Sequence, residues 1–278
     1  MNMKGELLRY LGSKHKLAPW IVSFFPEHKF YTESFGATGA VLLNKKPAFL
    51  EVYNDMYDRI VNFFSVLRDN EKSERLARML ELTPYAQETY NRSFATSEDT
   101  VEDAYFFVTN CMLSYGGGIY KPGFKRDGLL RDTTYPATWR KYPEIIRACA
   151  WELRRRNIEV NKMDALKIMQ RYDSPNTLHY VDPPYVQSTR GKRTRYHYEY
   201  TIKQHIRLLK FLKTLKGYVV LSGYSSPLYT KYLDGWRKET KPSHDTQGNK
   251  KTECLWLNYN PQLTLFDYAD QRQIEISA

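Results

Sequence analysis

Apolar positions along the chain come in short runs that end in polar or glycine-rich turns, each followed by a stretch with helical spacing. Phe30-Tyr31-Thr32-Glu33 leads into Phe35-Gly36-Ala37-Thr38-Gly39 and then Ala40-Val41-Leu42-Leu43. Ala48 to Tyr53 is a second run. It ends at Asn54-Asp55 and passes into a helix whose Ile60, Phe63, Phe64 and Leu67 share one face. Thr177 to Val181 ends at Asp182-Pro183-Pro184-Tyr185, after which Ile202, Ile206, Leu209 and Leu212 recur at helical spacing. Gly217 to Ser222 reads as a further strand and Thr252 to Tyr259 as a last, buried one, with a peripheral tail after Pro261. Strands alternating with helices predict an α/β fold around a parallel or mostly parallel sheet.

The middle of the chain breaks that rhythm. From about Val61 to Leu153 the spacing is mainly helical, most clearly over Val101 to Leu113. A glycine-rich basic stretch interrupts it from Tyr115 to Arg126, and glycine and proline at that density predict a loop or short hairpin. The expected organisation is a discontinuous α/β domain, residues 1–60 and 154–278. A mainly helical module fills 61–153, with a basic hairpin near 115–135.

Composition adds two features to an otherwise ordinary globular chain with 42% hydrophobic and 26% charged residues. The net charge is +11, and 23 tyrosines lift the aromatic share to 15%. Basic side chains attract a phosphate backbone through counterion release, and aromatic faces stack on bases, so nucleic acid enters as a candidate partner. No stretch approaches the roughly 20 apolar residues that cross a bilayer, and the amino terminus does not read as a signal peptide. Cys111, Cys149 and Cys254 are too far apart to suggest a disulfide framework or a zinc site. A reduced, cytoplasmic setting is expected.

Ligands of doubly wound folds sit at the carboxyl ends of the strands, and three strand ends here carry chemistry. Phe35-Gly36-Ala37-Thr38-Gly39 is a small-residue turn where backbone can approach a ligand, although a plain tight turn accounts for it equally well. Asp55 is placed either to accept ribose hydroxyls or to cap the next helix. Asp182-Pro183-Pro184-Tyr185 is far rarer, expected by chance in roughly one chain in a thousand of this length. Its prolines stiffen the backbone. The Asp182 carboxylate and the Pro183 carbonyl can then accept from one amino group, while Tyr185 offers a flat face to a heteroaromatic base.

These residues resemble the Dam-type adenine-specific DNA methyltransferases, class I enzymes of the α group, over most of the chain. Asp182-Pro183-Pro184-Tyr185 is similar to their catalytic signature. Arg9-Tyr10-Leu11-Gly12-Ser13-Lys14 resembles their amino-terminal cofactor segment, with Tyr10 where tryptophan is common. Glu33 to Gly39 resembles the glycine-rich motif, except that Ala37 takes the central glycine position and Gly36 comes one residue early. Asn54-Asp55 resembles the ribose-binding acidic motif. Asp164, after Ile158-Glu159-Val160-Asn161, is similar to an acidic residue that follows another strand.

The resemblance implies a Rossmann-like, S-adenosylmethionine-dependent methyltransferase sheet with an inserted target-recognition module. It implies transfer of a methyl group to the exocyclic amine of an adenine flipped out of double-stranded DNA. Tyr10, Gly12, Lys14, Glu33, Phe35, Gly36, Gly39, Asp55, Asp164 and Asp182 would hold the cofactor. Asp182, Pro183, Pro184 and Tyr185 would carry catalysis, and no metal is required. Candidate DNA contacts are Lys121, Lys125 and Arg126 in the insertion, and Arg190, Lys192, Arg193 and Arg195 on the loop beyond the catalytic motif. A monomer is the family pattern, and a cognate restriction endonuclease is a compatible partner. Two alternatives stay open: a catalytically silent DNA-binding protein of the same fold, and an amino-methyltransferase acting on RNA or cytosine.

Overall fold

The computed structural model describes residues 6–115, 123–126, 134–190, 197–244 and 249–260. Seven strands form one sheet: β1 (Phe30–Glu33), β2 (Leu50–Asn54), β3 (Ile158–Asn161), β4 (Thr177–Val181), β5 (Tyr218–Tyr224), β6 (Arg237–His244) and β7 (Lys250–Leu257). The helices before β3 are α1 (Ala18–Val22), α2 (Ala40–Asn44), α3 (Asp58–Arg68), α4 (Asn70–Glu81), α5 (Gln87–Arg92), α6 (Thr100–Leu113), α7 (Tyr135–Arg140) and α8 (Tyr142–Arg154). After it come α9 (Ala165–Tyr172), α10 (Ile202–Leu212) and α11 (Pro227–Tyr232).

The strand order is β3-β2-β1-β4-β5-β7-β6. β1 pairs in parallel with both β2 and β4, β2 with β3, and β4 with β5, whereas β7 runs antiparallel between β5 and β6. The chain winds outward in one direction from β1 and in the other from β4. The carboxyl ends of β1 and β4 therefore flank the switch point, where a doubly wound sheet opens a crevice. Glu33 is in register with Tyr180, which sets Ser34 and Phe35 beside Val181 and Asp182.

Alternation along the strands feeds two buried clusters. Leu178, Tyr180 and Val220 pack with the helices that precede β3, while Val181, Val219 and Leu221 pack with α9, α10 and Trp256. All five residues of β4 are buried, as a central parallel strand covered on both faces requires. On α10 the buried face is His205, Leu208, Leu209 and Leu212; Ile202 lies one turn too early, at the capped end, and is 52% exposed. The expected strands at 30–33, 48–53, 158–161, 177–181, 217–222 and 252–259 all have counterparts.

The helical insertion falls between β2 and β3, and its expected limits cut into α3 and α8. Phe63, Leu76, Val108, Tyr142 and Leu153 belong to the same buried cluster as Tyr31 and Tyr180 of the sheet, so insertion and sheet share one core. Ser114 and Phe124 form an antiparallel bridge, flanked by bonds from Tyr115 N–H to the Gly123 carbonyl and from Lys125 N–H to the Leu113 carbonyl. These contacts join the two ends of residues 114–124; most of the stretch expected as a hairpin near 115–135 lies outside the described residues. Lys121, Lys192, Arg193 and Arg195 lie outside the described residues.

Candidate functional site

The glycine-rich turn after β1 is built around Tyr53. Its ring stacks on Phe64 at 4.0 Å and its hydroxyl donates to the Ala37 carbonyl at 2.6 Å. A Cβ at Gly36 would come 2.2 Å from Tyr53 Cε2, so only glycine lets the turn pass so close. Ala37 has φ 42° and Gly39 φ 61°. Ala37 therefore holds the left-handed conformation that glycine adopts freely and an L side chain adopts at a cost.

Asp55 fixes this turn from the next strand end. Its Oδ2 accepts the Ala37 N–H at 2.9 Å and its Oδ1 accepts the Tyr57 N–H at 2.9 Å. It thereby orders the approach to α3, whose N-cap is Tyr57. Asn54 ties three strand ends together. Its amide donates to the carbonyls of Ser34 and Met163, and its oxygen accepts the Met163 N–H at 2.8 Å. Asp164 caps α9 by accepting from Leu166 and Lys167. Burial pushes the Asp55 carboxyl up, against backbone hydrogen bonds that pull it down.

A cavity of about 240 Å³ opens over these strand ends. Tyr10, Gly12, Phe35, Asp55, Asp164, Asp182 and Pro184, all anticipated, line it. Lys14, Glu33, Gly36, Gly39, Pro183 and Tyr185 are not in its wall. Glu33 turns into the core at 2% exposure and accepts the Tyr31 hydroxyl at 2.6 Å, and burial raises its carboxyl to about 8. Gly36 and Gly39 shape the turn from behind. The sequence reading missed Tyr57, His197, Glu199 and Tyr200, which complete the wall. His197 stacks on Tyr57 at 4.1 Å, Tyr200 meets Phe35 edge-on at 5.5 Å, and Glu199 pairs with Arg190. Tyr57 sits two positions beyond Asp55 at the start of α3, whereas His197, Glu199 and Tyr200 lie on a stretch that tertiary contacts alone place across the site.

Asp182 stands where this cavity meets a second one. Lys14 Nζ lies 2.9 Å from Asp182 Oδ2 and 3.7 Å from Glu253 Oε1. The same ammonium is 4.7 Å from the centre of the Tyr185 ring, whose hydroxyl donates to Glu253. Asp182 Oδ1 is buried and has no hydrogen-bond partner among the described residues. Burial raises the Asp182 carboxyl while Lys14 opposes the rise, and burial raises Glu253 as well. Glu253, on β7, was absent from the expected site; only its place opposite Tyr185 in the folded sheet reveals it.

Two of the expected DNA contacts are already engaged within the protein. Lys125 is 5% exposed, its Nζ donates to the Met112 carbonyl at 3.0 Å, and burial lowers its ammonium to about 8. This corrects the expectation of an exposed contact, because the ammonium is packed under α6. The Arg190 side chain, 3% exposed, is bound to Glu199. Arg126 donates to Gln87 and lies exposed over Phe124. Among the described residues no His, Cys, Asp or Glu group could hold a metal ion, and no helix is long and apolar enough to cross a membrane.

The cavity fits a sulfonium-bearing nucleoside in kind. It has carboxylates for hydroxyls and positive charge, aromatic walls for a purine, and Asp182 in its lining. Comparison with known proteins gives one family match: residues 10–246 fit the model of the D12 class N6 adenine-specific DNA methyltransferases. The search of curated proteins found no match. Among solved structures, the crystal structure of the SAM dependent methyltransferase from Agrobacterium tumefaciens is similar at 12% identity and a TM-score of 0.35. The similarity covers 89% of this chain and 60% of that one.

Proposed function

The chain belongs to the D12 class N6 adenine-specific DNA methyltransferase family, and on that premise we propose that it methylates the exocyclic amine of adenine in double-stranded DNA, using S-adenosylmethionine. The observation that carries the reading is Asp182, half-buried at the switch point with one oxygen on Lys14 and the other, itself covered, without a partner among the described residues. An amino group has hydrogens to donate to that free oxygen.

Tyr10, Gly12, Phe35, Asp55 and Asp164 would hold the cofactor, with Tyr57 and Tyr200 added to the expected set. S-adenosylmethionine supplies a methyl group already activated on a sulfonium. The carboxylates of the cavity favour that positive charge in a site of low dielectric. A target adenine must leave the helix to be reached, which costs a few kcal/mol. Stacking on Tyr185 offsets about 1–3 kcal/mol of that cost.

The Tyr185 face and the Asp182 carboxylate share one cation, Lys14. An entering base displaces it toward Glu253, its second carboxylate neighbour. The amine then donates one hydrogen to Asp182 and the other to the Pro183 carbonyl, which frees the nitrogen lone pair from the ring. The methyl group would come from the bound S-adenosylmethionine, and Asp182 is placed to receive the proton that the amine gives up. Alignment and preorganised dipoles supply the acceleration. The same reading carries a monomer that acts in the cytoplasm, alone or beside a cognate restriction endonuclease.

The test is expression in a host without adenine methylation, followed by sequencing that detects modified bases. Methyladenine at one recurrent short word, abolished by Asp182→Ala, is the expected result. An unmodified genome, with soluble protein that still binds S-adenosylmethionine, overturns the proposal.

A further inference from the structure

A second cavity, of about 490 Å³, lies on the β6–β7 side of Tyr185. Its inner end is Tyr185, Lys14 and Glu253, and its outer wall is the hairpin together with the segment before α1. The register sets Lys241 opposite Glu253 and Ser243 opposite Lys251. Side chains paired across antiparallel strands share a face, and so do residues two apart, so all four project to the same side of the hairpin. The burial pattern agrees: positions 241, 243, 251 and 253 are the more covered of each alternating set.

Lys14 and Arg190 on this cavity are paired with acids, but three further cations are not. Among the described residues Lys16, Lys241 and Lys251 each lie on the cavity with no carboxylate in salt-bridge contact. Lys241 Nζ rests 5.7 Å from the Trp20 ring, and Lys251 Nζ donates to the Thr189 carbonyl at 3.1 Å. By contrast Arg59, Arg147, Arg155 and Arg156 are all paired with acids. Ser243 Oγ is buried on the same face with no partner among the described residues. β6 is also the edge of the sheet, so this face continues to the molecular surface.

We propose that the β6–β7 hairpin and Lys16 form a contact surface for the DNA strand that carries the target base, with Lys16, Lys241 and Lys251 holding its phosphates. The proposal rests on the reading that the chain methylates DNA. The cofactor-side cavity takes one side of Asp182, so the base reaches Tyr185 through the second cavity, and the backbone attached to it follows along the rim. A polyanion is what a row of unneutralised lysines at that rim attracts. These contacts set affinity and position and carry no sequence information of their own. The surface was not among the basic stretches that the sequence pointed to, although Arg190 of one of them lines the same cavity.

The experiment measures binding to a DNA duplex as a function of salt, for the wild type and for Lys16→Ala, Lys241→Ala and Lys251→Ala combined, with retained S-adenosylmethionine binding as the check of fold. The slope of log affinity against log salt is expected to fall by about 0.9 for each lysine removed. Arginine at the same three positions is expected to restore it. A folded variant with an unchanged slope, beside a wild type that methylates DNA, overturns the surface alone. A wild type that neither binds nor methylates DNA overturns the functional reading, and this proposal with it.

Discussion

The cavity over β1 and the cavity beside the β6–β7 hairpin share Tyr10, Leu11 and Gly12 as a common wall, yet they differ in charge. The first is lined by Asp55, Asp164, Asp182 and Glu199 and, among the described residues, by no lysine or arginine. The second carries Lys14, Lys16, Arg190, Lys241 and Lys251 against Glu6 and Glu253. One chamber suits a cation and the other a polyanion. They meet at the Asp182–Lys14 pair, the point where a methyl group would pass from one ligand to the other. The contrast says that each chamber can be damaged separately and that only the junction serves both.

The largest effect is therefore expected at the junction. Asp182→Asn keeps the size of the side chain but gives up the charge and one acceptor. Methyl transfer should fall about 10³-fold, the scale set by removing a preorganised electrostatic contact from a transition state. Binding of each ligand measured alone should change far less. Similar losses in both affinities would mean that Asp182 supports the fold rather than the reaction.

Damage confined to the acidic chamber comes next. Asp55→Asn removes a charged acceptor that holds Ala37 and Tyr57 and faces the cavity. Charged hydrogen bonds contribute about 1.5–3 kcal/mol, so calorimetry should show S-adenosylmethionine binding weakened about 10- to 100-fold. The salt dependence of DNA binding should stay as in the wild type. A change there would break the separation of the chambers.

Glu253→Gln probes the junction from the basic side and has a sign in pH. Asp182 must be ionised to accept from the amine, and burial raises its carboxyl above the ordinary 3.8. Activity of the wild type should therefore fall, as pH drops, at a midpoint above that of an exposed aspartate. With Glu253 neutral, Lys14 is left to Asp182 alone, which favours the ionised carboxylate and moves the midpoint to lower pH. The plateau kcat should fall about tenfold, on the scale of a 1.4 kcal/mol change in the barrier, because Lys14 no longer has a second carboxylate to withdraw to. A lowered rate with an unmoved midpoint would leave Glu253 only the task of holding Tyr185.

The two chambers were also unequally legible in the sequence. Asp55, Asp164 and Asp182 stand at strand ends, and strand ends follow from local alternation, so the acidic chamber could be outlined without coordinates. β6 could not, because Arg237 to His244 is an edge strand of mostly polar residues whose pairing to β7 depends on register rather than on an apolar pattern. Glu253 looked like one polar residue in a buried strand, and its meaning comes from Lys14, 239 positions earlier in the numbering. Lys125 shows the opposite failure: a basic residue in a glycine-rich stretch reads as exposed, and packing under α6 placed it inside.

The smallest effect is expected from Ala37→Gly in the turn at the floor of the acidic chamber, where two neighbouring positions should respond in opposite directions. Gly36→Ala drives a methyl group into the Tyr53 ring, which is fixed by its stack on Phe64 and its bond to Ala37. Overpacking of that kind costs about 1–3 kcal/mol. Ala37→Gly goes the other way. At φ 42° the alanine bears left-handed strain of about 1–2 kcal/mol, which glycine relieves. Glycine also loosens the unfolded chain, which offsets about 0.4–1 kcal/mol of the gain. The net change should be a stabilisation of about 0–1.6 kcal/mol, with Tm rising by roughly 2–4 °C for each kcal/mol. Cofactor affinity should be retained, since the Ala37 N–H and carbonyl that engage Asp55 and Tyr53 belong to the backbone. A clear loss of stability in Ala37→Gly would mean that the Ala37 methyl group packs usefully where the conformation alone would have glycine.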